Sequence, residues 1–194
     1  MQKTNDETFF VGIDPSLTST GICVLSDVEC YLDTVKSQKI GDTPTDEIIR
    51  IRSIVSDIFN VLAHHAPMKM KNTIVSIEGL AMGLQKTTSL MQLAALNYML
   101  RSRLYELFIP FIIVAPTSLK KFVTGSGRGD KNIMLLEAYK KWGVDCKNDD
   151  ENDAHALARV AQALYDSEQV TPKINLLKPQ EEVIKMLLPQ TNYV

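Results

Sequence analysis

Short apolar runs near the start of the chain have the length and composition of β-strands. We predict strands over residues 8–14 and 21–26 and within residues 29–40. Proline, glycine and serine punctuate the segments between them. Three consecutive strands joined by short turns predict an antiparallel meander.

Helical spacing dominates the rest of the chain. Ile48, Ile51, Val55 and Ile58 recur every three or four residues, which predicts a helix with Thr45 as its N-cap. Other segments predict strands over residues 72–78 and 111–115 and helices within residues 88–107, 116–122, 131–142 and 151–165. This order predicts an α/β fold with a mixed five-stranded sheet, three antiparallel strands and then parallel strands, flanked by helices.

Length and composition fit one main domain. The chain has 194 residues, of which 45% are hydrophobic, enough for a full core. We assign residues 1–166 to this domain. Residues 167–194 contain three prolines, and we predict a partly ordered appendage there with a short helix around residues 181–188.

The sequence predicts a cytoplasmic protein without a membrane segment. No apolar stretch approaches the roughly 20 residues that span a bilayer, and the first residues lack the features of a signal peptide. Cys23, Cys30 and Cys146 are odd in number and lack C-x-x-C spacing. We therefore expect free thiols in a reducing compartment and no zinc site.

Acidic residues at the ends of apolar strands are the strongest functional signal. Asp14 ends the first strand and Glu78 the fourth, where a buried carboxylate is costly unless something pairs with it. Asp150 and Asp153 begin a late helix and share one of its faces. N-capping accounts for the helix acids but leaves the strand-end acids unexplained. The four acids together therefore predict one metal site.

The predicted site offers only oxygen ligands, which suit Mg²⁺ or Mn²⁺. Two such ions about 4 Å apart support phosphodiester hydrolysis by activating water and stabilising the leaving oxygen. In this hypothesis Asp14 bridges both ions, and Glu78 and Asp153 hold one each. Asp150 binds an ion or orients water.

A glycine-punctuated segment, residues 120–131, carries cations at both ends. Its three glycines let the backbone approach a phosphate closely, and Lys120 or Lys131 can neutralise charge there. The net charge of the chain is −2, yet residues 101–147 hold nine Lys or Arg against four Asp or Glu. We predict a basic face for a polyanion, with an unpartnered surface loop as the alternative.

These landmarks together resemble RuvC-type Holliday-junction resolvases, and the compact bacteriophage members most of all. The motifs are Gly12-Ile13-Asp14-Pro15, Ile77-Glu78, residues 120–131 and Asp150-x-x-Asp153-Ala154. The resemblance implies an RNase H-like fold, a homodimer, divalent metal and paired nicks across a four-way DNA junction. The bacteriophage likeness adds other branched DNA as substrates.

Residue roles follow from the same resemblance. The implied catalytic residues are Asp14, Glu78, Asp150, Asp153, Lys120 and Lys131. The implied DNA-binding residues are Lys120, Lys121, Ser126, Arg128 and Lys131. The helix within residues 88–107 matches the family's dimer-interface helix. Family members often have glycine at the position of Ser16, and bacterial enzymes can have an aromatic at that of Ala81, so we expect different junction opening and sequence preference.

Two other functions fit parts of the sequence. Gly12-Ile13-Asp14, followed by hydroxyl residues and Gly21, is similar to the phosphate-binding hairpin of actin-like or sugar-kinase-like phosphotransferases. The chain is too short for the second lobe that such proteins need. A non-catalytic junction-binding protein is the other alternative, which a missing acid would favour.

Four ring-bearing side chains outside the motifs are expected to have structural roles. We expect His155 to face solvent or bond locally, since it points away from the face of Asp153. We expect Tyr98, Tyr105 and Trp142 to be packing residues.

Overall fold

A computed structural model describes residues 7–66, 72–80, 87–128 and 130–190. The strands are β1 (Phe9–Asp14), β2 (Ser19–Leu25), β3 (Cys30–Lys36), β4 (Thr73–Glu78) and β5 (Phe111–Val114). The helices are α1 (Pro44–His65), α2 (Thr88–Glu106), α3 (Pro116–Thr124), α4 (Lys131–Trp142), α5 (Asp149–Ser167) and α6 (Lys178–Leu187), with a 3₁₀ turn at Leu188–Gln190.

The five strands form one mixed sheet in the order β3-β2-β1-β4-β5. β1 pairs antiparallel with β2, and β2 with β3, while β1–β4 and β4–β5 are parallel. The parallel pairs need crossovers, which α1 and α2 supply between their strands. The predicted α/β architecture is confirmed.

Different helices cover the two faces of the sheet. On one face, Val11 and Ile13 of β1 pack in a core with Ile54 of α1 and Leu96 of α2. On the other face, Phe10 packs among alanines of α5. The alternation of side chains along β1 therefore assigns neighbouring residues to different helical layers.

The first helix begins two residues before the predicted start. Thr43, not Thr45, is the N-cap: its hydroxyl accepts a hydrogen bond from the Asp46 backbone N–H at 3.2 Å. The Asp46 side chain accepts one from the Thr43 backbone at 3.1 Å, which completes a capping box. Pro44 fits the first helical position because its fixed φ suits the helix.

Two further helix boundaries differ from the prediction. Helix α3 extends to Thr124 rather than residue 122, because Gly125 supplies the left-handed C-cap with φ 82°. Helix α6 begins at Lys178 rather than near residue 181, because Pro179 is tolerated in a first helical turn.

The segment after α5 contributes to the hydrophobic core. Val183, Ile184 and Leu187 of α6 pack in one cluster with Leu119 and Phe122 of α3. The 3₁₀ turn that follows approaches the sheet edge, where the Gln190 side chain accepts a hydrogen bond from the Ile113 backbone at 3.2 Å. Helix α6 is thereby fixed against α3 and β5.

The expectations for the aromatic residues are partly wrong. Tyr98 and Tyr105 are each 65% exposed, because they lie on the outer face of α2. Trp142 does pack, at 6.2 Å from the Phe122 ring and 5.3 Å from the His155 ring. His155 is buried, so of the two expectations for it the locally bonded one is correct.

Ala81 lies outside the described residues. Cys23, Cys30 and Cys146 are all free, as predicted. None of the helices in the described ranges is both long and apolar enough to cross a bilayer.

Candidate active site

Two neighbouring strands end side by side on carboxylates. Ile13 of β1 pairs with Ile77 of β4, and Asp14 and Glu78 each follow by one residue. The two isoleucines pack toward α1 and α2. Since side chains alternate along a strand, both acids point to the opposite face, which α5 covers.

Two glycines let α5 lie against the backbone beside these acids. A Cβ on Gly12 would stand 1.9 Å from the Ala154 carbonyl oxygen, and a Cβ on Gly21 would stand 2.1 Å from that of Asp150. No side chain fits such gaps, so both positions require glycine. Gly21 pairs with Asp14 across β1 and β2. The first turn of α5 is therefore held at the strand end.

The acidic residues at the start of α5 have two different roles, helix capping and contribution to the site. The Asn148 side chain accepts a hydrogen bond from the Glu151 backbone at 2.8 Å, so the helix begins at Asp149, two residues before the prediction. Glu151 is buried and accepts the backbone N–H four residues earlier at 2.9 Å. It is a cap, which leaves Asp150 and Asp153 for the site.

Burial dominates the electrostatics of the carboxylates. Burial first, and then the charge of Glu78, raise the pKa of Asp14 from 3.8 to about 9. Burial also raises the pKa of Glu78, against a hydrogen bond with Asp14 and the charge of Lys120. The pKa of Asp153 rises to about 6 for the same first reason. Burial and mutual repulsion thus both oppose simultaneous ionisation of Asp14 and Glu78.

Two lysines approach the acids from the ends of the glycine loop. Lys120, on α3, lowers the pKa of Glu78 and of Asp153 through its positive charge. Lys131, at the start of α4, forms an ion pair with Asp149, with 2.8 Å between Nζ and Oδ2. The hydrogen bond with Asp149 raises the pKa of Lys131, and the charge of Asp153 adds to this effect.

The other three predicted DNA-binding residues lie further along this segment. Lys121 forms an ion pair with Glu182 of α6, with 2.7 Å between Nζ and Oε2. Ser126 and Arg128 are exposed on the loop, where the Ser126 hydroxyl accepts a hydrogen bond from the Arg128 backbone at 3.3 Å. Arg128 is therefore available to a ligand that lies beside the acidic site, whereas an ion pair holds Lys121 against a neighbouring helix.

The donor chemistry of the site fits a divalent cation. No ion pair within the described ranges includes Asp14, Glu78, Asp150 or Asp153. In that same part of the chain, no three Asp, Glu, His or Cys side chains are already arranged to hold a metal ion. The carboxylates thus supply hard oxygen donors that no ion pair in the described residues occupies, and ion binding requires their deprotonated form.

Sequence reasoning missed two residues that support the site. Asn97 of α2 is 1% exposed and donates from Nδ2 to the Glu78 carbonyl oxygen at 2.9 Å. The sequence signal for Asn97 is a polar amide next to Leu96 on the apolar face of a helix, where a buried amide needs a hydrogen-bond partner. Asp149 holds Lys131, and its signal was its place in the same acidic run.

The fold and the site define a class of protein. A sheet of three antiparallel and two parallel strands, with acids at the ends of β1 and β4 and on the helix that crosses them, is the RNase H-like nuclease arrangement. The chain belongs to the family described as crossover junction endodeoxyribonuclease RuvC, whose model matches residues 10–161. This family consists of metal-dependent nucleases that resolve Holliday junctions.

Solved structures share the fold. The structure of Thermus thermophilus RuvC in complex with Holliday junction substrate is similar with a TM-score of 0.61 and 20% identity, covering 78% of this chain and 90% of that one. A Thermus thermophilus RuvC structure matches with a TM-score of 0.59 and 19% identity, over 78% and 91% of the two chains. At such identities the likeness shows a common backbone arrangement, while residue roles rest on the geometry above.

Proposed function

We propose that this chain hydrolyses phosphodiesters at four-way DNA junctions with two divalent ions per site, Mg²⁺ or Mn²⁺ in its place. One observation carries the proposal: half-buried carboxylates from β1, β4 and α5 lie at one end of the sheet, and no cationic side chain in the described residues forms an ion pair with them. Such a set is destabilising unless a ligand compensates it, and an oxygen-only donor set favours hard cations.

The four acids would hold the ions and position the attacking water. We assign Asp14 as the shared ligand because it lies between Glu78 and the first turn of α5. Glu78 and Asp153 would each bind one ion, and Asp150 would bind or orient water. Bound ions supply Lewis-acid activation of water and charge neutralisation at the leaving oxygen.

The loop cations would act on the DNA. Lys120 lies close enough to the acids to lower their pKa, so its ammonium can also neutralise charge that develops on the scissile phosphate. Lys131 would do the same once phosphate competes with Asp149. Ser126 and Arg128 would contact the DNA backbone, and Lys121 would do so once phosphate competes with Glu182. Such contacts position the junction without reading its sequence.

A homodimer would supply the second active site for paired nicks. Helix α2 exposes Met91, Tyr98 and Tyr105, which are 69%, 65% and 65% exposed and recur every seven residues. A seven-residue repeat keeps side chains on one helical stripe, as a helix–helix contact requires. We expect the wild type to sediment as a dimer and Tyr98→Arg as a monomer; a monomeric wild type would contradict this.

Three finer proposals follow from the same assignment. Substrates would include other branched DNA, because backbone contacts recognise shape. Residues 1–166 would form the nuclease domain and residues 167–194 an appendage to it. The protein would work in a cytoplasm, where three unpaired thiols stay reduced.

Cleavage of a labelled four-way junction tests the proposal. Wild type, Asp14→Asn and the exposed-site control Asp27→Asn are incubated with the junction in Mg²⁺ and in a chelator. We expect symmetric nicks from the wild type and the control in Mg²⁺ only, and binding without nicks from Asp14→Asn. A salt series on Arg128→Ala tests the loop, since each lost phosphate contact reduces the salt dependence of binding.

Two results would overturn the proposal in different directions. Binding without nicks by every variant would identify a non-catalytic junction-binding protein. Nucleotide turnover without DNA cleavage would identify a phosphotransferase.

A further inference from the structure

Two free cysteines lie close together on the α5 face of the sheet. Cys23 of β2 is opposite Leu32 of β3, and Cys30 of β3 is opposite Leu25 of β2, so the two cysteines are diagonal neighbours on one face. Their sulfur atoms are 4.0 Å apart. Cys23 is fully buried, whereas Cys30 is partly exposed. Side-chain rotations that shorten the distance between the sulfurs by about 2 Å would bring them to bonding distance.

A half-buried cation lies beside the cysteines without a carboxylate partner. Arg159 of α5 donates to Nε2 of His155 at 3.2 Å and to the Gln162 side chain at 3.0 Å. No ion pair in the described residues includes Arg159. Burial lowers the pKa of Arg159, and Cys30 and then Cys23 raise it. An anionic sulfur would therefore compensate this guanidinium.

His155 completes the surroundings of Cys30. Because Nε2 accepts a hydrogen bond from Arg159, the ring proton lies on Nδ1. That Nδ1 is buried and lacks a hydrogen-bond partner within the described ranges. A thiolate at Cys30 would supply an acceptor for it.

The two thiols differ in acidity. The hydrogen bond with Cys23, opposed by burial and assisted by His155, lowers the pKa of Cys30 to about 5. Burial raises the pKa of Cys23 well above its ordinary value. A partly exposed thiolate next to a buried thiol is the arrangement of an oxidant-sensing cysteine and its resolving partner.

We propose that Cys23 and Cys30 form a redox-active pair that a hydroperoxide converts to an intrachain disulfide. The Cys30 thiolate attacks the terminal peroxide oxygen, the O–O bond breaks, and Cys30 becomes a sulfenic acid as hydroxide or alkoxide leaves and takes a proton from solvent water. The Cys23 sulfur then attacks the Cys30 sulfur and displaces hydroxide, which takes the Cys23 proton and leaves as water. Two thiols are oxidised and one hydroperoxide is reduced.

Cys146 provides the matched control. It is partly exposed, and burial first, followed by the charge of Glu151, raises its pKa to about 11. Its thiol therefore stays protonated where Cys30 is ionised. We expect it to react far more slowly than Cys30, because the thiolate is the nucleophile.

Mass spectrometry of the full chain after hydrogen peroxide treatment tests the pair. Wild type and Cys146→Ser should each lose the mass of two hydrogens, reversibly with dithiothreitol. Cleavage after Glu29 separates the two cysteines along the chain, so a disulfide alone keeps the fragments joined. Cys23→Ala should stop at a Cys30 sulfenic acid that dimedone traps, and Cys30→Ser should retain the Cys23 thiol.

Three results would overturn the proposal. They are a Cys30–Cys146 link in the wild type, oxygen addition at Cys30 while Cys23 stays free, and an unchanged mass at peroxide doses that oxidise free cysteine. Circular dichroism of each variant before treatment confirms its fold. The assay follows thiol chemistry alone, so its result is independent of DNA cleavage.

Discussion

Asp14 and Glu78 are carried by two hydrogen-bonded strands, whereas Lys120 and Lys131 reach the same site from helices at either end of a glycine loop. Backbone pairing and the close approach of α5 fix the acids, and burial raises the pKa of both. Lys131 is held by one ion pair and is 79% exposed along its side chain. The acids are thus positioned by the core at a cost in stability, and the lysines by local contacts at little cost.

The largest expected effect is that of Asp14→Asn on metal-linked stability. Saturating Mg²⁺ at 100 times its Kd adds about 2.7 kcal/mol to the free energy of unfolding, and the variant should lose this gain. Without metal, the variant should exceed the wild type by about 1–3 kcal/mol at pH 8, because it removes a buried acid with a raised pKa. Calorimetry in Mg²⁺ and in chelator measures both changes.

The pH dependence of the metal-free wild type gives the sign of this effect. The pKa of Asp14 is about 9 in the folded state against an ordinary 3.8, so the folded state binds more protons between these values. Stability should therefore fall as pH rises through this window, and Asp14→Asn should flatten the curve. A wild type that gains stability over the same range, or an Asp27→Asn control that behaves like Asp14→Asn, would contradict the account.

The next largest effect on stability distinguishes a glycine under α5, Gly12, from a glycine of the loop, Gly127. Gly12→Ala places a Cβ 1.9 Å from the Ala154 carbonyl oxygen and should lower the free energy of unfolding by about 2 kcal/mol or more. In Gly127→Ala the nearest atom to the Cβ, the Thr117 carbonyl oxygen, is 3.4 Å away, so its stability should change by less than about 0.5 kcal/mol. Urea unfolding compares them, and equal losses would refute the distinction.

A smaller effect is expected from the amide that supports Glu78 from behind. Asn97→Leu leaves the Glu78 carbonyl oxygen without its 2.9 Å hydrogen bond, which should cost about 1–3 kcal/mol and weaken Mg²⁺ binding. Ser102→Ala is the control, because the Ser102 hydroxyl donates to Glu106, an exposed residue of the same helix. Unfolding and calorimetric Mg²⁺ titration should change in Asn97→Leu alone; unchanged Mg²⁺ affinity would limit Asn97 to a structural role.

The smallest change in stability is expected for the lysines. Lys120→Ala removes the charge that lowers the pKa of Glu78 and Asp153, so the pH midpoint of Mg²⁺ binding should move upward. Lys131→Ala breaks an exposed ion pair with Asp149 and should change stability by less than about 1 kcal/mol. Calorimetry across a pH series measures the midpoint, and a downward shift in Lys120→Ala would reverse the assigned direction.

Local rules explain which elements were predicted and which boundaries were not. The strand meander and the helices follow from the periodicity of apolar residues, and the structure confirms both. Helix α1 starts earlier than predicted because Thr43, followed by Pro44 and Asp46, forms a capping box that Thr45 does not offer. The start of α5 was displaced because Asn148, an amide among acids, makes the cap.

The sequence by itself determined the order of the elements and the acids at the ends of β1 and β4. These depend on residue type and on periods of two and 3.6 residues, which are local properties. Only the tertiary structure decided that Asn97 bonds to the Glu78 carbonyl, that Asp149 holds Lys131 and that Cys23 approaches Cys30. Such contacts join residues from separate helices and strands. The packing of these elements against each other, and not the pattern of residues along the chain, determines which atoms meet.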